Sequence, residues 1–249
     1  MFQTYDEIFR ERADGYHAAM AAFPAARREE FEHAVAGLDL LPGCTVCDVP
    51  AGGGYLSHYV SQGIDCLFLE TSDLFAAHCP RGERYRVLQT SLEQLPLAPA
   101  SVERVLSLAA MHHVKDKPRC VREFQRVLVP GGIAVVADVE EGTGTAAFLN
   151  GFVDRFNSMG HDGRFLNADF YEGVEACGLR LLEVRRPALQ WHFGNREDMV
   201  AFCTQLFGLD LAKPADVNTG IDAYLGCQST AAGVVLYWQL SYAIMQKTA

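Results

Sequence analysis

The chain reads as an α/β protein with a mostly parallel sheet covered by helices on both faces, and three observations predict this. Apolar runs of strand length alternate with helical patterns along most of the sequence. The first clear run ends in a carboxylate and breaks into a glycine bend, Val46-Cys47-Asp48-Val49-Pro50-Ala51-Gly52-Gly53-Gly54. A second run, Cys66-Leu67-Phe68-Leu69, ends in Glu70 after the space that one strand, turn and helix would fill. Glycines let a backbone approach a ligand closely, and a following helix N-terminus offers N–H groups, so the bend reads as a ligand seat. A carboxylate at the tip of the neighbouring strand suits two ribose hydroxyls.

Each element follows in order. Tyr5 to Phe23 carries apolar residues at helical spacing (Ile8, Phe9, Ala13, Tyr16, Met20), and Pro24 stops the pattern. A second helix is expected from Ala25 to Gly37, before Leu40-Leu41-Pro42-Gly43. After the first strand and its bend, Tyr55 to Gln62 reads as a helix stopped by Gly63. The strand to Glu70, a short helix over Asp73 to Cys79 and a strand over Tyr85 to Leu88 come next. Val102 to Leu108 is a strand, and Pro118 to Leu128 is a helix with Arg119, Arg122, Glu123 and Arg126 off its apolar face. Pro130-Gly131-Gly132 turns into the strand Ile133 to Ala137, which ends at Asp138. The strand ends therefore carry Asp48, Glu70, Ser91, Ser107 and Asp138.

Beyond Gly142 the rhythm changes. Helices are expected over Thr145 to Met159, Ala168 to Ala176, Arg196 to Phe207 and near Ile221 to Leu225, with a loop Gly160-His161-Asp162-Gly163. Strands are expected over Arg180 to Glu183 and near Gly233 to Ile244. These two lie too close to the helices for ordinary crossovers, so they are expected to form an antiparallel C-terminal edge of the sheet.

Composition excludes several classes. With 249 residues, 49% of them apolar, the chain can bury one full core, with room for a cap. A net charge of −10, with no Lys/Arg run longer than pairs such as Arg27-Arg28 and Arg185-Arg186, argues against a nucleic-acid partner. Met1 to Arg12 is mixed and charged, without the pattern of an export signal, so a cytoplasmic location is expected. Val234 to Met245 is too short for a membrane span and is interrupted by Gln239 and Ser241; it reads as a core strand. The 8 cysteines are scattered and read as reduced, buried thiols. Cys44-Thr45-Val46-Cys47 has the spacing of a metal or redox pair, but the two thiols fall on opposite strand faces and no second pair exists, so no metal is expected.

Together these pieces resemble the class I S-adenosylmethionine (SAM)-dependent methyltransferases, especially the small-molecule group that includes quinone- and biotin-pathway enzymes. The likeness runs from about Leu38 to Asp138. It rests on Asp48 to Gly54, on Glu70, on Leu95-Pro96 past the third strand, on His112-His113 after the fourth, and on Arg126-Val127-Leu128-Val129-Pro130-Gly131-Gly132. The resemblance implies a Rossmann-like fold with a mostly parallel seven-stranded sheet and an antiparallel C-terminal edge strand. It implies one domain over residues 1–249: a helical lid over 1–37, a SAM-binding core over 38–141, and substrate-side helices with edge strands over 142–249. SAM is the implied cofactor and S-adenosylhomocysteine its product. Contacts are implied from Asp48, Pro50, Ala51, Gly52 and Gly54 on the bend and from Glu70 and Thr71 after the second strand. Ser91, Leu92, Leu108 and His113 complete the implied set. Two departures stand out. Pro50 occupies the usual first loop glycine, fixing φ and removing an N–H. Ser91 replaces the usual acidic partner of the adenine amino group, which shifts that contact toward the Leu92 N–H and apolar packing. A dinucleotide dehydrogenase is the rival for such a fold, but Ser57 stands at its third glycine position.

Methyl transfer from a sulfonium needs two reactants held in line and water excluded; it needs a base only when the acceptor must lose a proton. His17, His113 and His161 are the candidates for that role. Tyr16, His17, His161 and Phe165 are candidates for substrate contact. Each has a plainer alternative: His113 as a packing residue, His161 as a surface turn between glycines, Tyr16 with Phe9 as core. The expected reaction is transfer to an O, N, C or S atom of a small, partly apolar molecule by a monomer or homodimer. The alternative is a protein of the same fold that binds SAM without methylating, or uses it otherwise.

Overall fold

The structure, a computed structural model, describes residues 5–248, with side chains described from residue 12 onward. The expected cover from Phe2 to Phe23 thus falls partly outside the described residues, as does the side chain of Phe9. Strands β1 (Thr45–Asp48), β2 (Asp65–Glu70), β3 (Tyr85–Gln89), β4 (Val102–Leu108) and β5 (Leu128–Asp138) run parallel. After them come β6 (Leu179–Arg185), β7 (Ala188–Phe193), β8 (Cys227–Thr230), β9 (Gly233–Gln239) and β10 (Ser241–Lys247). The main sheet has seven strands in the order β3-β2-β1-β4-β5-β10-β6, and β10 runs antiparallel to both neighbours. The mostly parallel seven-stranded sheet with one antiparallel strand is as expected from the sequence; that strand, β10, lies one place in from the edge, which β6 forms. Strand order reverses between β1 and β4, which opens a crevice at their carboxyl ends.

Successive side chains of each strand face opposite layers. Val46, Phe68, Leu106, Val135 and Ile244 lie in one apolar cluster with the N-terminal helices and the cap. Cys47, Leu67, Val105, Val136 and Met245 lie in the other. Helices α1 (Tyr5–Ala22), α2 (Arg28–Leu38), α3 (Asp73–His78) and α4 (Lys117–Val127) flank the core. Asp116 caps α4 by accepting from Arg119 N (3.0 Å). Arg126 on α4 donates to the carbonyls of Leu95 (2.9 Å) and Leu97 (2.7 Å), so the Leu95-Pro96 segment is fastened to the helix of its own layer.

Several expectations are corrected. The helix expected over Tyr55 to Gln62 is a single 3₁₀ turn, Tyr55–His58; the chain then bends so that Tyr59 stacks flat on Phe31 of α2 at 4.7 Å, and this packing ends the helix. The Pro130-Gly131-Gly132 turn does not precede β5 but interrupts its pairing: Val102 pairs with Leu128 and Arg104 with Ile133. The helix expected over Thr145 to Met159 is α5 (Gly144–Ala147), a π-turn (Phe148–Val153) and α6 (Asp154–Phe156). Helices α7 (Ala168–Ala176) and α8 (Arg196–Leu206) fall where expected, while α9 (Pro214–Tyr224) starts earlier. The single strand expected near Gly233 to Ile244 is two strands in different sheets. β9 pairs with β7 and β8 in a three-stranded sheet that caps the core, and β7 and β8 were not expected from the sequence. All eight cysteines are free and Cys44 and Cys47 sit in opposite clusters, as expected.

The cap meets the core through backbone contact at Gly144, where an added Cβ would collide with the Tyr224 carbonyl oxygen at the end of α9. Alanine normally favours a helix over glycine by about 1 kcal/mol, so a destabilising Gly144→Ala would isolate this contact. The expected loss is roughly 1–3 kcal/mol by urea unfolding, the usual cost of overpacking; a stabilised variant would remove it.

Candidate active site

At the end of β1 the backbone takes three left-handed residues in succession, Gly52 (φ 56°), Gly53 (98°) and Gly54 (75°), a path open to glycine and strained for other residues. Glu70, at the end of β2, fixes this path. Its Oε2 accepts from Gly52 N (2.8 Å), and its Oε1 accepts from Thr71 N (2.8 Å) and Ser72 N (3.3 Å). Asp48 is buried beside it, and burial together with the Glu70 charge pushes its carboxyl well above the usual range. Thr71 Oγ1 is buried without a hydrogen-bond partner among the described residues.

Helix α1 covers this turn. An added Cβ at Gly53 would come within 2.5 Å of His17 Cε1, so only glycine lets the imidazole lie on the backbone. His17 stacks on His78 at 3.6 Å and bonds through Nδ1 to the Tyr55 hydroxyl (2.8 Å). Under the helix lies a cavity of about 50 Å³ bounded by Asp48, Pro50, Ala51, Gly52, Leu108 and Tyr16.

Tyr16 and Arg27 also line a second cavity of about 80 Å³, whose apolar wall includes Leu149, Trp191, Leu206, Phe207, Trp238 and Leu240. Trp191 stacks on Trp238 at 4.5 Å, and Phe207 on Trp238 at 5.6 Å. Arg27 stands between the cavities. Its Nη1 donates to the Tyr16 hydroxyl (2.7 Å), and its Nε and Nη2 donate to Glu30 Oε2 (3.0 and 2.6 Å). Glu30 Oε1 accepts from Trp191 Nε1 (2.7 Å), which brings the cap sheet into the network. Burial opposes the Arg27 charge, and Glu30 and Tyr16 outweigh it, so the guanidinium stays ionised.

On the far side of the second cavity three imidazoles meet. His112 and His113 end a 3₁₀ turn after β4, and His161 comes from the loop after α6; ring centroids are 4.0 Å apart for His112–His113, 5.5 Å for His112–His161 and 5.4 Å for His113–His161. His112 Nδ1 is 2.7 Å from Asp138 Oδ1, and His161 Nδ1 is 2.9 Å from Asn150 Oδ1. Burial first, and then the neighbouring imidazoles and Arg12, hold His113 and His161 well below the usual histidine range.

The structure thus gathers Asp48, Pro50, Ala51, Gly52, Leu108 and Tyr16 around one cavity, with Gly54, Glu70 and Thr71 in its rim or support. His113 and His161 lie together by the second cavity, and His161 is buried rather than on a surface turn. His17 packs on the glycine turn and lines neither cavity. Ser91 is exposed, Leu92 is buried in the opposite layer, and neither lines the cavity under α1. Phe165 packs on His112 (6.1 Å) but faces a separate surface cavity beside Lys117 and Phe170. The sequence reading did not single out Arg12, Arg27 or Trp238 for this site. The spacing of Arg27 and Glu30 is the one local signal it offered, since residues three apart share a helix face.

Residues 47–136 match the family described as "Methyltransferase domain". A Mycobacterium tuberculosis protein named "Probable S-adenosylmethionine-dependent methyltransferase" is 31% identical over 156 residues, 59% of this chain and 57% of that one. A malonyl-[acyl-carrier protein] O-methyltransferase of Pectobacterium atrosepticum is 29% identical over 125 residues, 49% of each chain. The chain thus spans 57% of the first curated relative and 49% of the second. Among solved structures, the YcgJ protein of Bacillus subtilis superposes with a TM-score of 0.68 at 15% identity, over 89% of this chain and 99% of that one. A geranyl diphosphate C-methyltransferase of Streptomyces coelicolor, solved with Mg2+, geranyl diphosphate and S-adenosyl-L-homocysteine, gives 0.62 at 12% identity, over 94% and 84%. These likenesses show the fold.

Burial, and then His78, lowers the His17 pKa from 6.5 to about 4. Between those values the unfolded chain carries a proton that the folded chain refuses, so stability is expected to fall as pH drops through that window. Urea unfolding at about pH 7 and pH 5 should show a steeper loss for the wild type than for His17→Gln, by up to about 1.4 kcal/mol per pH unit. Parallel losses would show that His17 ionises freely in the folded chain.

Proposed function

From a chain whose residues 47–136 form a class I SAM-dependent methyltransferase domain, we infer an enzyme that binds SAM on the Gly52–Gly54 turn and transfers its methyl group to a small, partly apolar acceptor. The observation that carries this reading is the turn itself: three left-handed glycines locked by a buried carboxylate, beside a second, aromatic cavity that shares Tyr16 and Arg27 as walls. The residues fit the cofactor's chemistry. Glu70 is an acceptor carboxylate at the turn, as ribose hydroxyls need, and Thr71 Oγ1 is buried beside it without a hydrogen-bond partner among the described residues. The acceptor of the malonyl-[acyl-carrier protein] relative, an oxygen, fits the same expectation of a small reacting group.

When bound, SAM supplies an electrophilic methyl carbon on a sulfonium, and the chain's own residues position and shield it. Glu70 orients the ribose while holding the Gly52 backbone. Trp191, Trp238 and Phe207 desolvate the acceptor and hold its apolar part against the shared wall. His113 and His161, neutral at physiological pH, present ring nitrogens to the acceptor's polar end. Tyr16 and His17 on α1 act as the cover of the 1–37 segment. A cofactor site occupies about 300 Å³ or more, against the 50 Å³ cavity under this helix, so α1 must swing outward to admit SAM and return to exclude water.

Calorimetric titration should give one SAM per chain, and NAD should not bind. Glu70→Ala should weaken SAM binding by roughly 1.5–3 kcal/mol, the worth of hydrogen bonds to a charged group, and Glu70→Gln by less. Unaltered SAM affinity in Glu70→Ala would refute the ribose assignment, and saturable NAD binding without SAM binding would refute the reading as a whole. SAM binding without turnover on any acceptor would leave a binding protein of the same fold.

A further inference from the structure

We propose that His112, His113 and His161 form a three-nitrogen site for a divalent transition cation of the zinc class, with its open coordination position toward the acceptor cavity. Each of the three rings offers one nitrogen, and these atoms lie within 4.8 Å of one another. Three protein ligands and one open position is the arrangement of a working zinc centre, whose 2.0–2.1 Å bonds set the nitrogens about 3.4 Å apart. Binding would have to draw the three nitrogens together from within 4.8 Å to that spacing. The Cys44/Cys47 spacing does not point to a metal, and this site owes nothing to cysteine.

The orientation of the rings is what separates this cluster from three packed histidines. Asp138 is an acceptor on every side: Oδ1 takes Val139 N (2.7 Å) and His112 Nδ1 (2.7 Å), and Oδ2 takes His112 N (2.9 Å). With Asp138 accepting, Nδ1 of His112 is the donor nitrogen, and Nε2 is the one left to act as a ligand. His161 is fixed in the same way. Asn150 Oδ1 accepts from Gly163 N (2.7 Å) while its Nδ2 donates to Gly163 O (2.8 Å), so the amide cannot flip and His161 Nδ1 must be the donor to Oδ1. Both rings thus carry the outer hydrogen bond that orients metal-binding imidazoles and leaves Nε2 as the ligand. Imidazole sets of this kind suit Zn2+, Co2+, Ni2+ and Cu2+ rather than Mg2+ or Ca2+.

The surroundings allow a cation to reach the site and be used there. The same three histidines line an open cavity of about 770 Å³ that includes Asp154 and Asn157, a route from solvent, and the 80 Å³ acceptor cavity behind them. Asp138 supplies negative charge on one side. Of the two arginines that line the acceptor cavity, Arg27 is paired with Glu30, and Arg12 has its Nη2 tied to the Leu206 carbonyl (3.0 Å). A bound cation would take an oxygen, nitrogen or sulfur of the acceptor as its fourth ligand and so fix the reacting atom. That use rests on the methyltransferase reading; cation binding itself does not.

The test is a titration of chelator-treated full-length protein with Co2+, followed by visible absorption and by competition with Zn2+, with SAM calorimetry as a separate arm. One Co2+ per chain is expected, with the absorption of a nitrogen-ligated centre, no thiolate charge-transfer band, and displacement by Zn2+. His161→Ala and His113→Ala should weaken binding by about 100-fold or more while retaining the metal-free melting temperature. Asn150→Ala, which touches no proposed ligand atom but frees His161, should weaken it by about 10–100-fold; Asn150→Asp, which keeps the acceptor oxygen, should recover most of that. No Co2+ uptake, a thiolate spectrum, or equal affinity in wild type and His161→Ala would overturn the site. Metal binding without SAM binding would leave the site standing and refute the methyltransferase reading.

Discussion

An arginine can stay charged inside a protein only where its donors are satisfied, and Arg27 is satisfied by Tyr16 and Glu30, through which it is tied to further parts of the chain. Tyr16 comes from α1, Glu30 from α2, and Glu30 in turn binds Trp191 of the cap sheet. Tyr242 of β10 donates to the Glu30 carbonyl (3.2 Å), so the antiparallel strand of the main sheet joins as well. Removing one partner of such a buried pair typically costs about 3–5 kcal/mol because the other charge is stranded. The position of α1 over the glycine turn, the seat of the cap and the wall between the two cavities therefore all depend on one ion pair. Because the Arg27–Tyr16 bond is the link to α1, the helix can move without breaking the pair itself.

The carboxylates at the strand ends show how one architectural position is put to different uses. Glu70 is committed to backbone N–H groups and shapes the turn. Asp138 is committed to His112 and sets a ring rather than a loop. Asp48, buried beside Glu70, is pushed toward its neutral form, since two adjacent buried carboxylates do not ionise equally. The cofactor half of the site is thus built by β1 and β2. The acceptor half is built by β4, β5 and the cap, and Tyr16 and Arg27 are where the halves meet.

Much of this was legible in the chain. Five parallel strands, the glycine turn and the tip carboxylates follow from local pattern, because each strand is an apolar run bounded by turn residues. The cap sheet was not legible for a physical reason. β9 and β10 read as one run from Val234 to Met245, and the change of sheet happens at Gln239-Leu240-Ser241 with no glycine or proline to mark it. β8, with the sequence Cys-Gln-Ser-Thr, has no buried face to betray it. Arg27 stood out only as half of the basic pair Arg27-Arg28, and its partner Glu30 is held by Trp191, more than 160 residues away. His161, between two glycines, carried the signature of a turn; the Asn150 amide that draws it inward lies in a π-turn that periodicity does not reveal.

The central claim is that the glycine turn is a cofactor seat covered by α1. A crystal structure of the protein with S-adenosylhomocysteine tests it most directly. The account expects the ribose beside Glu70, the cofactor along Gly52–Gly54, and α1 displaced or rotated so that Tyr16 and His17 no longer fill the space above the turn. Ligand bound elsewhere, or bound at the turn with α1 unmoved, would contradict it.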